Sequence, residues 1–381
     1  MSAPLLLRDL EAGPSGGGPR ALLLAGGRIA AIDEDAEAAA GEAHAVSAPG
    51  RFAAPGFIDL QVNGVGGHDF TTDPGSMWTV GRLMARHGVT AFLPAIVTSP
   101  RGTVEAALRA FDERRDAGGA KPLGLHVEGP FLAPARAGAH DPALLREPDL
   151  DEIRGWLASG SLRILTLAPE LPGAIDAIRA AAAGSVVSIG HTDADAAMAE
   201  RAIEAGARYA THLFNAMPPL SHRAPGVVGA VLADDRVTLG LIVDGRHLDP
   251  LVVGLVSRLA PDRVSLVSDA IAALGLADGT HRLGGSTVTV TGGAASLADG
   301  TIAGSVAALD AGVRRFAQAT GSAAAAIEAA TGVPARLLGL EDRGVLGVGC
   351  RADIVLLDAE LEVAATLVGG DVVYDADGRW A

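Results

Sequence analysis

Cysteine is nearly missing: Cys350 is the only one in 381 residues. That excludes an internal disulfide and any metal site built from thiolates. Lysine is as scarce, with Lys121 the sole example among 30 basic side chains. Positive charge is in deficit overall, at a formal net charge of −15. A nucleic-acid partner is therefore not expected, because a phosphate backbone needs a basic surface. An anionic small molecule remains compatible if one cationic pocket holds it. Long apolar runs are lacking too. Mean hydropathy is +0.31, but Arg258 interrupts the stretch around Leu251–Ala260, and a membrane span needs roughly 20 apolar residues. Arg8, Asp9 and Glu11 stand close together near the start, with no signal-peptide pattern. The expectation is a cytoplasmic protein with no membrane partner.

Apolar residues are abundant, at 49%, against 20% charged, enough for a large buried core. The 50 Gly and 21 Pro show no fibrous period and fit many short turns. Short β-rich runs alternate with segments of helical length. The strands are read over Phe57–Val62, Val89–Val97, Leu123–Val127, Arg163–Ala168, Val186–Gly190, Ala207–His212, Thr238–Val243 and Val264–Ser268. Helices are read over Met77–His87, Thr103–Ala117, Ala194–Ala205 and Pro250–Leu259, and an Ala-rich one over Ser322–Ala330. Eight parallel βα units predict an α/β protein of the (β/α)8, TIM-like barrel class. Leu22–Ile32 and Ala352–Val373 read as hairpins, while Pro14–Pro19 reads as a surface loop. Both termini are expected to form one small β-sandwich domain, residues 1–53 plus 345–381, beside a barrel over 54–344.

Five strand ends carry residues of one chemical kind. The third runs into His126-Val127-Glu128, the fifth into Gly190-His191, the sixth into Thr211-His212, the seventh into Asp244-Gly245-Arg246-His247 and the eighth into Ser268-Asp269. Singly, each has an ordinary structural use: Asp269 as a helix cap, Glu128 in a loop ion pair, a histidine as a hydrogen bonder. Together they converge, because a parallel barrel brings its strand ends to one mouth. Glu128, His191 and His212 make one carboxylate and two imidazoles, a set suited to one divalent ion, zinc first, with iron or another ion as alternatives. Three ligands leave a position for water, whose pKa such an ion lowers. Asp269 then suits a proton carrier, from water to the leaving amine. His247 suits a donor to the carbonyl oxygen.

With those residues assembled, the chain resembles the amidohydrolase superfamily, and within it the deacetylases of N-acetylated amino-sugar phosphates. The likeness rests on "PGFIDLQVNG" from Pro55, "GLHVEGPFL" from Gly124, "SIGHT" from Ser188, "THLFNAMPPLSHRAPG" from Thr211, "DGRHLD" from Asp244, "LVSDA" from Leu266 and "GTIAGS" from Gly300. It covers nearly the whole chain. One departure matters: where many superfamily members have His-x-His after the first strand, this chain has Gln61 and Asn63. Dinuclear relatives often add a modified lysine after the fourth strand, and here Ala168-Pro169-Glu170 stands there. A single metal is therefore expected.

The resemblance implies hydrolysis of the phosphorylated N-acetyl amino sugar N-acetylglucosamine 6-phosphate to glucosamine 6-phosphate and acetate. It further implies that Ala139 and His140 touch the sugar, that Asn215, Ala216 and Arg223 bind phosphate, that His247 meets the substrate, and that Ala303, Gly304 and Ser305 line its loop. It implies a homodimer, in which the phosphate-binding arginine can come from the neighbouring subunit. Three alternatives stay open: the galactosamine epimer as substrate, a cyclic-amide hydrolase of the dihydroorotase or hydantoinase kind, and a non-catalytic sugar-phosphate binder. The missing His-x-His argues against the second, and the intact ligand set argues against the third.

Overall fold

The protein is seen in a computed structural model that describes residues 3–114 and 117–379. Eight parallel strands form the barrel: β1 Phe57–Val62, β2 Val89–Val97, β3 Leu125–Glu128, β4 Leu162–Leu167, β5 Val186–Ile189, β6 Ala207–Ala210, β7 Thr238–Ile242 and β8 Val264–Val267. Each lies within two residues of the reading from sequence. β1 and β2 are buried at every position, as expected for parallel strands covered on both faces. Neighbours pair in chain order from β1 to β8. The ring closes beyond β8, where Asp269 N donates to Gln61 O at 3.0 Å and Asn63 N donates to Ala270 O at 2.7 Å.

One end of the barrel is plugged. Ala335 and Leu338, in and just after the helix Gly332–Leu337, pack with Ile58, Leu60, Leu93, Ile164 and Tyr209 of the barrel interior. Arg163, at the start of β4, donates to Leu338 O at 2.6 Å, which fixes the plug at the N-terminal ends of the strands. Only the C-terminal mouth is left for chemistry.

The terminal segments form two sheets that share one apolar core, including Leu7, Leu22, Ile29, Ile354, Leu356 and Leu367. One sheet is wholly N-terminal: Leu5–Arg8, Leu22–Ala25, Arg28–Ile32 and His44–Ser47. The other pairs Phe52–Pro55 with Ile354–Leu357, Val363–Val368 and Asp371–Asp375. The two termini thus meet as a sandwich, with strand mixing in one sheet only.

Three elements depart from the sequence reading. The helix read over Met77–His87 is broken into a 3-10 turn, Pro74–Trp78, and a short α-helix, Gly81–Ala85. Gly81 packs so closely that a Cβ there would lie 2.6 Å from both Gly118 O and Ala120 O. A three-stranded antiparallel sheet, Gly279–Leu283, Ser286–Thr291 and Ala294–Ser296, was not anticipated. The helix read over Thr103–Ala117 runs Thr103–Asp112, and residues 115–116 lie outside the described part. Helices Ala196–Ala205, Pro250–Leu259 and Ala323–Ala330 match their readings to within two residues. No helix among the described residues is long and apolar enough to cross a membrane.

Candidate active site

The open mouth holds a cavity of about 370 Å³, within the range of small-molecule sites. Its walls include Glu128, His140, His191, His212, His247 and Asp269. Glu128 is the last residue of β3, while His191, His212 and Asp269 each stand two residues past the ends of β5, β6 and β8. Those three have positive φ, 47°, 29° and 49°, a costly conformation for residues with a side chain. Such strain concentrates where a side chain must point into a site. Gly190, just before His191, leaves room for Thr211 and Thr166, whose Cγ2 atoms a Cβ there would meet at 2.3 and 2.8 Å.

Glu128 Oε1 lies 3.0 Å from His212 Nε2 and 3.3 Å from His191 Nε2, and the two imidazole nitrogens are 3.1 Å apart. Three donor atoms held at tetrahedral angles, each about 2.0–2.1 Å from an ion, would sit roughly 3.3 Å from one another. His191 Nδ1 lies 2.9 Å from Arg136 O and donates to it, which leaves Nε2 with its lone pair free. His140 comes to the same carboxylate from the other side, with Nε2 3.6 Å from Glu128 Oε2. Glu128, His140 and His191 also meet the distance requirement of a metal site. The cluster can therefore hold a divalent ion. The tighter triangle includes His212, whereas Thr98 holds His140 through its Nδ1 at 2.8 Å.

Electrostatics follow from burial and proximity. Burial would raise the Glu128 carboxyl, but hydrogen bonds from His140, His191 and His212 outweigh it and hold the group well below the usual range. Burial would lower His212, yet its contact with Glu128 pulls it up. His140 is lowered by burial and then by His191. Burial first, then the Glu128 charge, pushes Asp269 up to about 6. His126, beneath the cluster, is lowered to about 4 by burial.

Asp269 is clamped on one side. Its Oδ1 accepts from Gln61 Nε2 at 3.1 Å and from Asn63 Nδ2 at 2.7 Å. Gln61 is held in turn by Thr211, whose hydroxyl donates to Gln61 Oε1 at 2.6 Å. Gln61 and Asn63 thus hold the aspartate through Oδ1 alone, leaving Oδ2 without a protein hydrogen bond among the described residues. The sequence marked Gln61 and Asn63 only as absent ligands; their spacing opposite Asp269 is visible only in the fold. Glu170 has a structural part that its place after the fourth strand does not disclose. Its carboxylate accepts from Thr192 Oγ1 and Asp193 N, both at 2.6 Å, and braces the loop after His191.

Of the residues implied to meet the substrate, Ala139, His140, Asn215, Ala216, His247 and Gly304 line the cavity. Ala303, Ser305 and Arg223 do not. Ala303 is buried in the apolar cluster beneath the three-stranded sheet. The Ser305 hydroxyl is 3.1 Å from Asp244 Oδ2. Arg223 is exposed on the loop before the helix Gly226–Ala233.

A barrel mouth with a carboxylate–imidazole cluster able to hold a metal, opposite a clamped aspartate, is the arrangement of metal-dependent hydrolases of amide bonds. Residues 52–373 match the amidohydrolase family, and the chain belongs to it. Human N-acetylglucosamine-6-phosphate deacetylase is 45% identical over 347 residues, covering 86% of this chain and 85% of the human one. N-acetylgalactosamine-6-phosphate deacetylase of Escherichia coli O157:H7 is 40% identical, covering 84% and 86%. Among solved structures, an aspartate-to-alanine mutant of N-acetyl-D-glucosamine-6-phosphate deacetylase from Mycobacterium smegmatis, in complex with N-acetyl-D-glucosamine-6-phosphate, superposes with a TM-score of 0.89. That match has 35% identity and covers 98% of this chain and all of that one.

Proposed function

We propose that this chain hydrolyses the acetamide of N-acetylglucosamine 6-phosphate to glucosamine 6-phosphate and acetate. The observation that carries the reading is the pairing, in one cavity, of the Glu128–His191–His212 triangle with an aspartate held by amides on one oxygen only. The cluster suits one divalent ion per chain, zinc first, with iron or another ion as alternatives. When bound, such an ion supplies an activated water and positive charge beside the reacting carbonyl. Asp269 Oδ2 takes the proton from the attacking water and returns it to the sugar nitrogen as the C–N bond breaks. His247 donates to the carbonyl oxygen as negative charge builds there. His140 and Ala139 bound the sugar, and Gly304 closes the wall beside Asp269.

Asn215 and Ala216 receive the phosphate, with Arg223 completing the grip. Arg223 stands outside its own cavity wall, which supports delivery from a neighbouring subunit in a homodimer. Leu251, Leu255 and Leu259 supply an apolar face for that neighbour: they fall at four-residue spacing on the helix Pro250–Leu259 and are 77%, 54% and 63% exposed. The division into a terminal β domain, 1–53 plus 345–381, and a catalytic barrel, 54–344, is the organisation we assign. We assign the enzyme to the cytoplasm, where phosphorylated sugars are handled.

The galactosamine epimer is the second reading, favoured by the 40% identical relative that bears that name. Acetate release from each epimer decides between them. A kcat/KM at least tenfold higher for the glucosamine form supports the first, and the reverse order the second.

A further inference from the structure

Asp244 is not among the residues given a role above, yet it bonds both the backbone and the ring of His247. Its Oδ1 accepts from Arg246 N at 2.9 Å and His247 N at 3.0 Å, which closes the loop after β7. Its Oδ2 lies 2.8 Å from His247 Nδ1 and 3.1 Å from Ser305 Oγ. Both side chains are nearly sealed from solvent, at 6% exposed for His247 and 7% for Asp244. Ser305 is tied in turn to the catalytic aspartate's backbone, its N donating to Asp269 O at 2.9 Å. One carboxylate thus locks the His247 ring and joins the loops after β7 and β8.

We propose that Asp244 is the positioning residue that keeps His247 as an Nε2–H donor toward the reacting carbonyl. This rests on the deacetylase reading. A carboxylate accepts only, so Nδ1 must carry a proton and donate it. Nε2 is then the ring nitrogen left for the substrate, and it has no protein partner among the described residues. A neutral ring with its proton on Nδ1 has only a lone pair at Nε2. Donation from Nε2 therefore needs a proton on both ring nitrogens, and Asp244 Oδ2 is the acceptor that holds the one on Nδ1. Burial would raise the Asp244 carboxyl, but His247 outweighs it and holds the group below the usual carboxylate range. The sequence signal is an Asp and a His three apart in "DGRH".

The test is Asp244→Asn in the metal-loaded enzyme. Asn keeps the turn, because its side-chain oxygen accepts as Asp does, but it removes the charge. The account expects kcat to fall roughly 10–100-fold, the usual cost of losing a group that orients an imidazole. KM should change less than about threefold, and metal content should hold. The deficit should shrink with the N-trifluoroacetyl phosphosugar, whose carbonyl needs less help to bear negative charge. Asp244→Asn should add nothing to His247→Gln, because it acts through that ring. Should Asp244→Asn fail to fold, Ser305→Ala, which keeps the charge and loosens the carboxylate, is expected to lower kcat about two- to fivefold in the same pattern. Parental activity in Asp244→Asn, an equal deficit on both substrates, or additivity with His247→Gln overturns the proposal. A parent inactive on every acetylated phosphosugar would sink the deacetylase reading instead. In that case ¹⁵N-histidine NMR still decides: His247 should carry its Nδ1 proton in the parent and lose that signature in Asp244→Asn, and a ring without an Nδ1 proton overturns the positioning role.

Discussion

Asp269 combines two constraints that its sequence context does not reveal. Amides hold one oxygen, and burial with the nearby Glu128 makes the group basic for a carboxylate. Asp269→Asn keeps the shape and removes the proton acceptor. It should lower kcat by ~10²–10⁴-fold while metal content and substrate affinity hold; near-parental turnover would show that Asp269 carries no proton. Asn63→Ala breaks the shorter of the two clamping bonds, at 2.7 Å. Hydrogen bonds to a charged group are worth about 1.5–3 kcal/mol, so kcat should fall roughly tenfold or more without metal loss, read by acetate release beside elemental analysis. The types at these positions were legible from sequence. Their partnership was not, because Asn63 and Asp269 are joined only when β1 meets β8.

At the scale of elements, the barrel strands were readable because both faces are buried, which writes continuous apolar runs between turn residues. Chain segments shaped by close backbone approach were not. Gly81 opens the second, shorter helix where no Cβ would fit beside two carbonyl oxygens, and those neighbours are more than 35 residues away in sequence. The sheet over Gly279–Ser296 was hidden because only its middle strand alternates cleanly, with Val288 and Val290 buried. It bears on the site through Leu283 and through the loop that carries Gly304. Gly304 has φ 63°, and a Cβ would lie 2.6 Å from Ile271 Cγ2 and 2.8 Å from Asp269 O. Gly304→Ala should therefore cost about 1–3 kcal/mol of stability and displace Asp269. The measured pattern would be a lower Tm and lower kcat at full metal content.

For the molecule as a whole, two buried groups act oppositely on stability between about pH 4 and 7: His126, held down to about 4, adds stability as pH rises, and Asp59 removes it. Asp59 lies inside the barrel wall with Oδ2 unpartnered, and burial raises its pKa to about 7 from the ordinary 3.8. The sign is that of a raised acid. Below pH 3.8 both states hold the proton; between 3.8 and about 7 only the unfolded chain releases it, so folding loses free energy there. Above about 7 the difference is constant. Asp59→Asn should be nearly neutral at pH 4 and stabilising at pH 7.5 relative to the parent, by calorimetry at both values. A gap that does not change with pH would place the titration elsewhere. Subunit cooperation has its own test. If Arg223 acts across a dimer, mixing Arg223→Ala with Asp269→Asn subunits should restore activity, because one hybrid site then has both groups. No recovery would place Arg223 within its own chain.

The central claim is that the cluster at the barrel mouth binds a metal that makes this chain a deacetylase of a phosphorylated amino sugar. One titration tests it most directly: acetate released from N-acetylglucosamine 6-phosphate, followed on one preparation as metal is removed by a chelator and then returned. The account predicts activity that disappears with the metal, returns with it, and saturates at about one equivalent of divalent ion per chain. No acetate release at full metal occupancy, or activity indifferent to its removal, would contradict it.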